Sequence, residues 1–143
     1  MWNRNIETFL GCDGTYEDSH IVIFGAPFDS TTSYRPGTRF AARIMRAESF
    51  GLETYSPYQD LDLENARVFD GGDLELPFGD TARALDMIHS YAANVLADGR
   101  LPLLIGGEHL VSLPAIQAAA EKHPDLAVIH FDAHTDLRDE YLG

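Results

Sequence analysis

Apolar runs alternate with amphipathic stretches along this chain. His20-Ile21-Val22-Ile23-Phe24-Gly25 is a β-rich run closed by glycine and predicts a buried strand. Residues 26 to 36 are rich in Pro, Ser, Thr and Asp and predict a loop. Pro36-Gly37-Thr38 then opens a helical segment to about Ser49, with Phe40, Ile44 and Phe50 as its expected buried side. Residues 51–66 are acidic and without period. Arg67 to Asp70 predicts a second strand, ended by the turn-like Gly71-Gly72-Asp73. The clearest helix follows. Asp80 caps it, Ala82, Leu85, Ile88, Ala92, Val95 and Leu96 recur at helical spacing, and Gly99 ends it. Leu101 to Ile105 predicts a third strand, Glu108 to Lys122 a helix, and Leu126 to Phe131 a fourth strand.

Strands and helices that alternate on a period of roughly 25–40 residues signify βαβ units and a parallel sheet. The nearly continuous hydrophobicity of the strands fits a sheet covered on both faces. The fold class is therefore α/β, a three-layer α/β/α sandwich. In such folds ligands bind beyond the C-terminal ends of the strands.

Length and composition narrow the partners. A chain of 143 residues makes one domain, and a single cysteine, Cys12, excludes an internal disulfide and fits a reducing compartment. No run of about 18 apolar residues exists to span a membrane. Met1-Trp2-Asn3-Arg4-Asn5 leads into no apolar signal core, so the cytoplasm is the expected location. A formal net charge of −13 argues against nucleic acid, whose phosphates need a positive footprint. It is compatible with steering of a cationic substrate, or with solubility alone.

The candidate chemistry sits at two strand ends. Asp132, His134 and Asp136 follow the fourth predicted strand at i, i+2 and i+4. On an extended backbone all three face one way, with about 6.7 Å between successive side-chain origins. Two carboxylates and an imidazole suit Mn²⁺, and also Zn²⁺ or Fe²⁺. Gly106-Gly107-Glu108-His109 ends the third strand, where the glycines allow tight turning and His109 adds a fourth donor from the same sheet edge. His130 shares the strand parity of Asp132 and is expected in the core or as a supporting residue. His20, His89 and His123 have no evident chemical partner. Asp29, Asp70 and Asp73 lie near strand ends and suit either a pocket or ordinary turn chemistry.

Gly106-Gly107-Glu108-His109 followed by Phe131-Asp132-Ala133-His134-Thr135-Asp136 resembles the first two metal signatures of the ureohydrolases, the arginase and agmatinase superfamily. Gly25-Ala26-Pro27-Phe28-Asp29, Tyr34-Arg35-Pro36-Gly37-Thr38-Arg39-Phe40 and Asp70-Gly71-Gly72-Asp73 are similar to its accessory motifs, in order and across nearly the whole chain. Glu108 stands where arginases carry Asp, Arg138 stands where they carry Asn, and the run Asp136 to Tyr141 is similar to bacterial agmatinases.

The resemblance implies that His109, Asp132 and Asp136 bind one Mn²⁺ and that Asp132 and His134 bind a second. Asp132 would bridge the ions and hold the attacking hydroxide. It implies hydrolysis of a small cationic guanidine, agmatine, to putrescine and urea, by a homo-oligomer of trimeric or hexameric type. Alternatives are another ureohydrolase substrate (a guanidino acid, formimidoylglutamate or arginine) or a truncated non-catalytic subunit. The family's later S-x-D-x-D-x-x-D-P signature, with two further aspartate ligands, is absent from these residues. Residues 1–143 are therefore expected to be the N-terminal half of a ureohydrolase domain, inactive alone.

Overall fold

The computed structural model describes residues 7–12 and 14–140. The Met1 to Asn5 stretch and Tyr141 considered above lie outside them. The elements run β1 (Ile21–Ala26), α1 (Ala41–Ser49), β2 (Tyr55–Ser56), β3 (Leu61–Asp62), β4 (Val68–Asp73), α2 (Thr81–Ala97), β5 (Leu101–Gly106) and α3 (Ser112–Lys122). Short 3-10 turns at Thr38–Phe40, Leu63–Ala66 and His109–Val111 connect them. Among the described residues no helix is long and apolar enough to cross a membrane.

The main sheet is parallel, in the order β4-β1-β5, with Ile21 opposite both Val68 and Leu101. β1 is thus central, and its alternate residues divide between two covering layers. Val22, Phe24 and Ala26 pack on the helical side with Ala84, Ile88, Ala92 and Val95 of α2 and Ala118 of α3. Ile23 and Val68 pack on the other side against Cys12, where α1 sends Arg46 to Asp70. That arrangement is the expected α/β/α layering. Asp80 caps α2 by accepting from Arg83 N–H at 3.0 Å, and Gly99, at φ +75°, ends it in the left-handed conformation that favours glycine.

Three expectations change. Phe40, Ile44 and Phe50 are not the buried side of α1; each is more than half exposed, and Ala42, Arg46 and Ser49 face inward instead. The reason is electrostatic, because Arg46 lies between two carboxylates, Asp70 and Asp73. Gly71-Gly72-Asp73 is not a turn but the end of β4. A Cβ on Gly71 would lie 2.4 Å from the Tyr91 hydroxyl, so a glycine lets the strand pass the helix there. Finally, Leu126 to Phe131 forms no strand. With no ladder partner among the described residues, its apolar side chains stay exposed, Ile129 to 81% and Phe131 to 94%. The residues expected to be irregular contain a small antiparallel pair, β2 with β3.

Gly25 leaves room for Asp73 and for Ala42 of α1 against the central strand. A Cβ there would lie 2.0 Å from Asp73 Oδ1 and 3.0 Å from Ala42 Cβ. Gly25→Ala should therefore push Asp73 away from Arg46 and cost about 1–3 kcal/mol, the usual penalty of overpacking. A urea-denaturation midpoint unchanged from wild type would contradict this.

Candidate metal centre

β5 delivers the chain to the sheet's C-terminal edge, where Gly106 and Gly107 turn it sharply. Gly107 has φ +65°, and a Cβ on it would lie 2.4 Å from the Ala26 carbonyl oxygen, so the turn is pressed against the end of β1. His109 then starts a 3-10 turn ahead of α3. The second contributor is the 130–136 segment, which returns after α3 to the same edge.

The two segments meet. His109 Nδ1 lies 2.8 Å from Asp136 Oδ2 and 4.0 Å from Asp132 Oδ2, and His130 Nε2 lies 3.6 Å from Asp132 Oδ2. One donor atom from each of His109, His130, Asp132 and Asp136 falls within 4.8 Å of the others. Metal–nitrogen and metal–oxygen bonds of about 2.0–2.2 Å put opposed ligand atoms about 4 Å apart. Two imidazoles and two carboxylates with this span fit one divalent ion after a small contraction. All four residues are exposed, so an ion can enter from solvent.

The site differs from the sequence expectation in two ways. His130 is neither core nor tucked behind the ligands; it is exposed, with its ring stacked 5.3 Å from that of His109. His134 lies outside the four-donor group, with its side chain 83% exposed and Nδ1 3.5 Å from Asp132 Oδ1. Both differences follow from the backbone: residues 126–131 form no strand that would bury His130. The D-x-H-x-D segment does not stay extended: residues 133 and 134 bend, and Asp136 takes φ +53°, so the three side chains no longer share one face. The His134 backbone N–H instead donates to Asp132 Oδ1 at 2.8 Å. That bond, with the charge available on His130, His109 and His134, outweighs partial desolvation and holds the Asp132 carboxyl below the usual carboxylate range.

Other acidic residues have structural partners. Asp29 is buried and accepts from Gly37 N–H at 2.7 Å, and its Oδ1 lies 2.5 Å from the Arg39 guanidinium. Arg39 and these backbone bonds hold its carboxyl low against the effect of burial. Asp70 and Asp73 hold Arg46, a residue that drew no attention in the sequence because no local partner marks it. His89 pairs with Glu121 at 3.1 Å, and His123 caps the end of α3. A cavity of about 390 Å³ beyond β1 and β4, lined by Phe28, Asp29, Arg39, Arg43, Asp73 and Phe78, does not include the four clustered donors.

Comparison with known proteins finds relatives for the chain as a whole. An agmatinase of Bacillus anthracis is 53% identical over 137 residues, which cover 96% of this chain and 47% of the relative. The agmatine ureohydrolase of Thermoplasma volcanium superposes with a TM-score of 0.88 at 32% identity, over 97% of this chain and 46% of that one. A Trypanosoma cruzi formiminoglutamase solved with Mn²⁺ gives a TM-score of 0.77 at 29% identity, covering 87% and 43%. The chain spans about half the length of the curated relatives it matches. The sequence profile of the arginase family matches residues 19–143, from just before the central strand through the segment that carries Asp132 and Asp136. With both the profile and the fold in agreement, this chain belongs to the arginase family.

Proposed function

We propose that this chain is the N-terminal, metal-binding half of an agmatinase-type ureohydrolase. The observation that carries the reading is the convergence of His109, from the β5 turn, with Asp132 and Asp136, from a segment more than twenty residues later. Identity of 53% to an agmatinase supports agmatine as the substrate. The reaction adds water to the guanidinium carbon, breaks the bond to the aminobutyl nitrogen and passes a proton to that nitrogen, giving urea and putrescine. Bound Mn²⁺ would supply Lewis-acid charge and make water nucleophilic near neutral pH.

The chain's own residues contribute ligands and field. His109, Asp132 and Asp136 would hold the metal, with His130 as the fourth donor of the cluster and His134, beside Asp132, as the ligand the family resemblance implies. Asp132 and Asp136 add negative charge to an already acidic molecule, which draws a dicationic substrate towards the sheet edge. A cytoplasmic location and assembly into trimers or hexamers belong to the same reading.

The 143-residue chain alone should make no urea from agmatine with Mn²⁺, and its exposed Ile129 and Phe131 should drive self-association seen by light scattering. A protein of the relatives' length carrying these residues should release urea and putrescine from agmatine in preference to arginine or guanidinobutyrate. Preference for a carboxylate-bearing guanidine would overturn the substrate, and turnover by a monomeric 143-residue chain would overturn the half-enzyme reading.

A further inference from the structure

We infer that Glu108 is a positioning residue for His109, and that the Thr31–Glu108 contact makes the loop after β1 part of the metal-binding apparatus; the metal's role rests on the proposed function. Glu108 is buried, with 9% exposure, although it lies next to a half-exposed ligand candidate. Its Oε1 accepts from the Thr31 hydroxyl at 2.5 Å and from the Thr31 backbone N–H at 3.1 Å. Its own N–H donates to the Phe28 carbonyl at 2.8 Å, and Gly107 N–H donates to the Thr38 carbonyl at 3.3 Å. Four hydrogen bonds thus join the Gly107–Glu108 turn to residues 28–38. That loop is itself held by Asp29, through Gly37 and Arg39.

His109 lacks such anchorage. Its side chain is 53% exposed and meets the clustered groups themselves, Asp132, Asp136 and the His130 ring. Asp136 orients the ring at 2.8 Å, but where the backbone places that ring is fixed one residue earlier, at Glu108. A buried carboxylate without donors is costly, so releasing Thr31 would shift Glu108 and turn the peptide that carries His109. A displacement near 1 Å is enough to spoil a ligand set, and supporting residues of this kind commonly change metal affinity about 10–100-fold.

The test uses a protein of the relatives' length carrying these residues, with free Mn²⁺ followed by electron paramagnetic resonance. Glu108→Ala and Thr31→Val should weaken binding about 10-fold. Glu108→Gln, whose amide oxygen still accepts both Thr31 donors, and Thr31→Ser should stay within about 3-fold of wild type. In a His109→Ala background, Glu108→Ala should add no further loss, because a residue acting through His109 has nothing left to position. A residue that merely stabilises the fold would weaken both backgrounds equally, and that result would overturn the inference. A metal-free readout separates it from the functional reading: the His109 ring resonances should shift or broaden in Glu108→Ala and return in Glu108→Gln. If wild type binds no Mn²⁺, the metal reading fails and the resonances still decide the positioning role. Unchanged resonances in Glu108→Ala would refute it.

Discussion

Replacing Arg46 with alanine should bring the chain to the edge of unfolding at 25 °C. The guanidinium is 1% exposed and grips Asp70 with two bonds, Nε to Oδ2 at 2.8 Å and Nη2 to Oδ1 at 3.0 Å, while Nη1 reaches Asp73 Oδ1 at 2.5 Å. Asp70 is fully buried and spends its remaining capacity on Phe9 N–H and Gly72 N–H. Without Arg46 it keeps those two bonds but loses its counter-charge. Breaking a buried pair from one side costs about 3–5 kcal/mol, against a total of roughly 5–15 for a domain. Arg46→Lys keeps a charge but not the fork, so it should be damaging as well. Arg46→Met combined with Asp70→Asn should recover part of the loss, because it removes the stranded charge. Denaturant midpoints read by circular dichroism decide the matter, and a change below about 0.5 kcal/mol in Arg46→Ala would show that water reaches Asp70.

Asp132→Ala should cost the most at the site. Its carboxylate lies 3.5 to 4.0 Å from ring nitrogens of His134, His130 and His109, so it is the shared anion of all three imidazoles. Losing it should lower Mn²⁺ affinity by at least about 100-fold, beyond the usual range for outer-shell partners. In a protein of the relatives' length, Mn²⁺-dependent urea release should fall to background, as it should on chelation. Asp132→Asn keeps the shape without the charge and should fall nearly as far. His109→Ala, His134→Ala and Asp136→Ala should each reduce activity sharply, while His123→Ala, at the exposed end of α3, should match wild type. Normal Mn²⁺ content and activity in Asp132→Ala would remove Asp132 from the centre.

What was legible in the chain was whatever short-range pattern decides. β1 and β5 announced themselves as β-branched and leucine-rich runs closed by glycine, and α2 by its period, its Asp80 cap and Gly99. The clustering of His109 with Asp132 and Asp136 was legible because a parallel sheet gathers its strand ends at one edge. The inward face of α1 was not. Its apolar residues point out because Arg46 finds Asp70 and Asp73, 24 and 27 positions away, and no local period encodes that pairing. Leu126 to Phe131 has the composition of a strand, but strand structure belongs to a pair of segments, and one segment cannot show whether its neighbour exists. The exposure of His130 and the place of His134, beside Asp132 but outside the four-donor group, were not legible either: alternation holds only while the backbone stays extended, and it does not over residues 126–136.

The position of β1 in the sheet also bears on how the chain is made. Among the described strands of the main sheet it is made before the two that flank it, and Val68 and Leu101, the residues facing Ile21, follow 47 and 80 positions later. At a synthesis rate of about 5–20 residues per second, the β5 side of β1 waits roughly 4–16 s for its partner. Until β4 emerges, Val22, Ile23 and Phe24, a run with high β-propensity and no charge, have two unpaired edges, and until β5 emerges they keep one. Parallel pairing over such distances is slow in any case, because the closure entropy is spent before contacts return it. The strand that the described sheet encloses on both edges is therefore open while the chain is being made, and collapse of its Phe24 side onto α2 would shield one face before β5 arrives.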